Sequence, residues 1–141
     1  MSVLDDPNVR NALLVAWSES LPRHKDAHEE GGFILRTAKG TYVVDRWPKG
    51  APNQIHVPPH PQNVRGGLPI IATFHTHPNP APDFQQEPSL TDIRAVRGDP
   101  DLGGPDYEGE YVISDEKVYR ILKDGDVEEV GETQTVLARS P

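Results

Sequence analysis

The segment 72–92, ATFHTHPNPAPDFQQEPSLTD, sets His75 and His77 one residue apart at the end of an apolar run and follows them with Pro88-Ser89-Leu90-Thr91-Asp92. In a strand, residues i and i+2 share a face. Both imidazoles therefore project to one side and Thr76 to the other. Pro78 has no N–H to give to a ladder and ends the strand there. Two imidazoles side by side suit Zn²⁺, which binds histidine nitrogen at about 2.0–2.1 Å. The best-placed third ligand is Asp92, in the first turn of the helix predicted to follow. Two histidines and one carboxylate leave a fourth position for water, the donor set of a catalytic zinc. Ser89-Leu90-Thr91-Asp92 is equally a capping box, in which Ser89 and Asp92 exchange hydrogen bonds at a helix start. Both readings stand at this point, and the two roles can coexist.

A zinc-bound water needs a base to take its proton. The stretch HEEGGFIL (28–35) supplies Glu29, and Gly31-Gly32 allow the backbone to approach closely there. If the strand beginning at 32 lies beside the strand at 68–77, Glu29 reaches the water. Read alone, Glu29 and Glu30 are solvated charges ahead of a strand. His24, His28, His56 and His60 lie in polar or proline-flanked stretches and are not assigned as ligands, although His28 adjoins Glu29.

The elements that must position these groups follow from the local pattern. Asp6 caps a helix over 6–20, with Pro7 in the first helical position. Val9, Leu13, Ala16, Trp17 and Leu21 form its apolar stripe, and Pro22 ends it. Runs at 32–37 and 41–47 flank Ala38-Lys39-Gly40 and read as a hairpin. The Pro- and Gly-rich stretch 48–69 is irregular, with a short strand at 54–57. LPIIATFHTH (68–77) is a buried central strand. A proline-rich loop, 78–88, leads to a helix at 90–97 that begins at Ser89, then to an acidic loop at 98–109. Two strands joined at Ser114-Asp115-Glu116 fill 110–122. KDGD turns the chain into a last short strand, VEEVG, and the tail from 131 has no clear pattern. This order predicts one α+β domain over 1–141, a mixed sheet with helices packed on it.

The chain is long enough, at 141 residues, for one domain with its own core. Its net charge of −8 opposes nucleic acid and anionic membranes as partners, because phosphate recognition needs a basic surface. There is no cysteine, so any metal must be held by His, Asp or Glu. No apolar run approaches the roughly 20 residues of a membrane span. The first residues, MSVLDDPNVR, lack the basic and apolar regions of a signal peptide, and the expected location is cytoplasmic.

Taken together, Glu29, His75-Thr76-His77-Pro78 and Ser89-Leu90-Thr91-Asp92 resemble the signature of the JAMM/MPN+ (JAB-domain) zinc metalloproteases, bacterial or archaeal type. EEGGFIL is similar to the stretch that follows that family's glutamate, and its spacing selects Glu29 over Glu30. The resemblance extends over about 29–122, with 6–20 as the helix that precedes the glutamate. Ten residues separate Pro78 from Ser89, a longer spacer than the family's, so the loop must bulge to bring Asp92 to the metal. Closure entropy grows slowly with length and tolerates this.

The resemblance implies a JAB/MPN-like fold and hydrolysis of a peptide or isopeptide bond, often after the C-terminal Gly-Gly of a ubiquitin-like protein. Zn²⁺ would be held by His75, His77 and Asp92. Glu29 would be the base, and Ser89 the donor to the developing oxyanion. The partner would be a protein or peptide substrate. Asp99, Asp101, Asp106, Glu108 and Glu110, in a stretch without Lys or Arg, suggest a border for a groove that favours a basic extended tail. The alternative function is a non-catalytic MPN-type binding scaffold, whose members typically lack some of these motif residues. A phosphoesterase is a third reading, opposed by the single ligand set, since such enzymes commonly use two metals.

Overall fold

Asp6 starts the first helix as expected. In the computed structural model, which describes residues 2–79 and 85–138, its carboxylate accepts from the N–H groups of Asn8 and Val9. Helix α1 runs Pro7–Glu19, and Val9, Leu13 and Ala16 are its buried stripe. Leu21 departs from that stripe. The chain has left the helix by then, Leu21 takes a φ of 55°, and its side chain is 40 % exposed.

Strands β1 (Gly31–Arg36) and β2 (Tyr42–Arg46) form the expected hairpin. The predicted strand at 54–57 is not paired with anything. The short strand of this region is instead β3, Val64–Arg65. Gly66 and Gly67, with φ of 60° and 82°, close a two-residue turn from β3 into β4, Leu68–Thr76. A two-residue turn with positive φ at both central positions matches the strand twist, and glycine adopts that conformation without strain. Helix α2 spans Leu90–Gly98, and β5 (Glu110–Ile113), β6 (Lys117–Ile121) and β7 (Val127–Glu132) complete the sheet. The patternless tail is a third helix, α3, Thr133–Ala138. Half of the proline-rich loop, 80–84, lies outside the described residues.

The protein is an α+β fold with a mixed seven-stranded sheet. The order is β2-β1-β4-β5-β6-β7, and β3 pairs with one end of β4. The β4–β5 pair is parallel, and the chain crosses between them through α2. The other pairs are antiparallel.

The sheet's alternation divides the interior. One face carries Ile34, Ala72, Phe74, Tyr111, Ile113 and Val118, packed under α1 and α3. The opposite face carries Phe33, Leu35, Trp47, Ile70 and Leu102, with Val96 of α2 over Val112 and Ile121. Thr73 and His75 share this second face, four and two residues ahead of His77. Among the described residues no helix is long and apolar enough to cross a membrane.

Candidate metal centre

His75 is fully inside the sheet, at the C-terminal end of β4 and only 3 % exposed. Its partner in register across the β1–β4 ladder is Gly31. A side chain at 31 would place its Cβ 2.5 Å from Cε3 of Trp47 and 2.6 Å from the Phe74 carbonyl, so glycine is the residue that fits. Extending the register outward sets Glu30 across from Thr76 and Glu29 across from His77. The backbone bears this out: Thr76 N–H donates to the Glu30 carbonyl at 2.9 Å, and Glu30 N–H donates to Thr76 Oγ1 at 3.0 Å.

Glu29 and Glu30 thus face opposite sides. Glu30 points toward α1 and is fully engaged, accepting from His28 Nε2 at 2.5 Å and from Arg46 at 2.7 Å. Glu29 points into the cleft with His75 and His77. Its main chain is clamped on both sides, donating to the Ala51 carbonyl and accepting from Gly50 N–H, each at 2.9 Å. Gly50 is needed for that approach, because a Cβ there would sit 2.8 Å from the Glu29 carbonyl.

Three donor groups converge. Nε2 of His75 and Nε2 of His77 are 3.2 Å apart. Asp92 brings Oδ1 to 3.4 Å from His75 Nε2 and Oδ2 to 3.2 Å from His77 Nε2. A tetrahedral ion with bonds of about 2.0–2.1 Å spaces its ligand atoms about 3.3 Å apart. The spacing of these three side chains suits ligands gathered around one metal ion.

The outer nitrogens agree with that fit. His75 Nδ1 lies 2.9 Å from Glu110 Oε2, and His77 Nδ1 lies 3.1 Å from the Gln86 carbonyl. Each acceptor draws the ring proton to Nδ1, which leaves the Nε2 lone pair aimed at the shared centre. Glu110 is in turn held by Thr73 Oγ1 at 2.9 Å, and Thr73 by the Tyr107 hydroxyl at 2.7 Å.

Ser89 and Asp92 do cap α2. Ser89 Oγ accepts from Asp92 N–H at 3.0 Å, and Asp92 Oδ2 accepts from Ser89 N–H at 2.9 Å. Capping and convergence on the histidines thus occur together. The Ser89 oxygen serves as acceptor for the cap, which leaves its hydroxyl proton to donate into the cleft that Ser89 lines.

The electrostatics follow from burial. Burial pushes Glu29 up to about 7, with the charges of Asp92 and Glu110 adding and those of His75 and His77 opposing. Burial disfavours a charged His75, but the carboxylates of Glu110 and Asp92 outweigh it, and the metal-free imidazole keeps its proton well above the ordinary histidine range. Burial also opposes ionised Asp92, yet hydrogen bonds from His75, His77 and the Ser89 N–H hold its carboxyl well below the usual range. A divalent ion would take the place of the proton shared among these groups.

Sequence reasoning missed Glu110, grouping it with an acidic loop. It is the first residue of β5, is only 6 % exposed, and sits beside Thr73 in register. A glutamate that opens an otherwise apolar strand was the available signal. The rest of that acidic stretch is engaged as well. Asp99 pairs with His60 at 2.6 Å and Asp106 with Arg36 at 2.8 Å. Asp101 accepts from Gln62 N–H, and Glu108 from Val3 N–H and the Tyr111 hydroxyl. Partners came from distant segments, and only Asp106 among these four meets an arginine.

Among the described residues the only cluster of three or more such side chains able to hold a metal is His75, His77 and Asp92. His28 and His60 are bound to Glu30 and Asp99, and His24 and His56 are exposed. No protein-family model matches the chain, and no curated protein matches it.

Proposed function

We propose that this protein is a zinc-dependent peptidase or isopeptidase of the JAMM/MPN+ type. One observation carries the reading: two histidines and an aspartate converge at ligand spacing on the same sheet face as a buried glutamate. The lining of the cleft supports it. No Lys or Arg is among the described residues that line it, so a phosphoester would find no cationic side chain to support it beside the metal.

In this reading His75, His77 and Asp92 hold Zn²⁺. The ion supplies an acidified water and a Lewis acid for the substrate carbonyl. Glu29, buried in the cleft beside this centre, takes the proton from the attacking water and returns it to the departing amine. Ser89 donates its hydroxyl proton to the carbonyl oxygen as charge builds there. Glu110 and the Gln86 carbonyl keep both imidazoles in the tautomer that ligates.

The test uses zinc-loaded wild type and Glu29→Gln, each incubated with unfolded protein and with Gly-Gly-tailed conjugates, fragments being read by mass spectrometry. Wild type should cleave, and the variant should lose about 10²–10⁴-fold in rate while retaining its zinc. Equal cleavage by both removes Glu29 as the base. A wild type that binds no zinc removes the reading altogether.

A further inference from the structure

The cleft is larger than the metal site needs. Its volume is about 590 Å³, and beyond the ligands it is lined by an apolar patch as well as by the polar Asn53, Gln54, Asn79, Gln85 and Thr91. Trp47, Ile55, Val57 and Leu102, members of one apolar cluster, line it together with Ala95 and Val96 of α2. Trp47 and Leu102 are core residues, 3 % and 4 % exposed, so this wall is a fixed part of the fold. Ile55 and Val57 pack on the same cluster. The carboxylates that line the cleft are already committed: Asp92 and Glu110 to the histidines, Asp99 to His60, and Glu29 to the base role.

A Gly-Gly segment would lie across this wall and bury none of its apolar surface against a side chain. A lysine or glutamate laid against the apolar patch would be desolvated there. An uncharged apolar side chain is what the wall accommodates. Resting on the proposed peptidase reading, we infer that the substrate is an extended polypeptide with a bulky apolar residue, of leucine or phenylalanine size, flanking the cleaved bond. Glycine pairs are the poorer substrates.

The experiment uses internally quenched peptides that differ only at the two residues flanking the cleaved bond: Leu-Gly, Gly-Leu and Gly-Gly. With zinc-loaded wild type, one of the leucine peptides should exceed Gly-Gly in kcat/KM by about tenfold or more, the range for one buried leucine side chain. Ala95→Glu places a charge on the wall from an exposed helical position. It should bring the leucine-to-glycine ratio toward one while zinc content is unchanged.

Binding is measured separately on zinc-loaded Trp17→Phe/Glu29→Gln, in which Trp47 is the remaining tryptophan and its fluorescence reports occupancy of the cleft. The leucine peptide should bind at least several-fold more tightly than Gly-Gly. Equal or tighter binding of Gly-Gly, or its faster cleavage, overturns the inference and leaves the peptidase reading intact. Tight leucine binding with no cleavage by zinc-loaded wild type overturns the peptidase reading and supports the apolar specificity of the cleft.

Discussion

At the scale of single residues, the two nitrogens of each imidazole have different tasks. His75 turns Nε2 toward His77 and Asp92 and Nδ1 toward Glu110, so in the proposed centre the strength of zinc binding would depend on a carboxylate that never touches the metal. Glu110→Gln keeps the shape but removes the charge. Zinc affinity, measured by competition with a chromophoric chelator, should fall about 10–100-fold; an unchanged affinity would mean that Glu110 merely fills space. Ser89 combines two roles that substitutions can separate. Ser89→Ala loses the cap, worth about 1 kcal/mol, whereas glycine at an N-cap costs only a few tenths. Both variants lose the hydroxyl donor. If that donor acts on the oxyanion, Ser89→Ala and Ser89→Gly should show the same fall in kcat, of the order of 10–10³-fold, with only the alanine variant markedly lower in Tm. A kcat that follows Tm would assign Ser89 to the helix alone.

At the scale of elements, the site depends on the register of two strands. Gly31 opposite His75 fixes which glutamate faces the cleft, because a slip of one residue would exchange Glu29 for Glu30. Gly31→Ala drives a methyl against the Trp47 ring and the Phe74 carbonyl, one of them backbone that cannot step aside. Overpacking of this kind costs about 1–3 kcal/mol. The variant should lose that stability in chemical denaturation and also bind zinc more weakly, since His75 sits on the displaced strand. The convergence of His75, His77 and Asp92 was legible in the sequence because it is local: His-x-His uses the two-residue strand period, and Asp92 sits one turn past Ser89. The hairpin and α2 were legible for the same reason. Glu110 was not, because its role exists only once β5 lies parallel to β4, a pairing that brings residue 110 to residue 73. The strand at 54–57 failed in a related way, since Ile55 and Val57 alternate like a strand but have no neighbour to pair with. Helix α3 was hidden in a tail whose only deeply buried apolar anchor is Leu137, and α1 supplies much of what it packs against.

At the scale of the whole molecule, burial of Glu29, His75 and Asp92 at one point ties folding to protons and to metal. Burial raises the Glu29 pKa from the ordinary carboxylate value of 4.5 to about 7, so its contribution is favourable below 4.5 and is lost as pH rises through 7. His75 is raised as well. Its protonated contact with Glu110 and Asp92 stabilises the fold below 6.5 and is lost at higher pH. Asp92 has the opposite sign: its contribution is present above the ordinary aspartate value and is lost only in strong acid. The metal-free protein should therefore be most stable in mildly acidic solution and should show a falling Tm from about pH 5 to pH 8. Zinc removes the cause of that fall by occupying the centre in place of the proton, so its binding at pH 7 should release about one proton. Calorimetry in two buffers of different ionisation enthalpy measures the release, and thermal scans with and without zinc measure the Tm profile. A zinc-loaded protein whose Tm holds steady across that range, with a proton released on binding, fits the centre at His75, His77 and Asp92. Proton-neutral binding, with the same Tm slope before and after zinc, would place the ion on groups that are already deprotonated, away from this cluster.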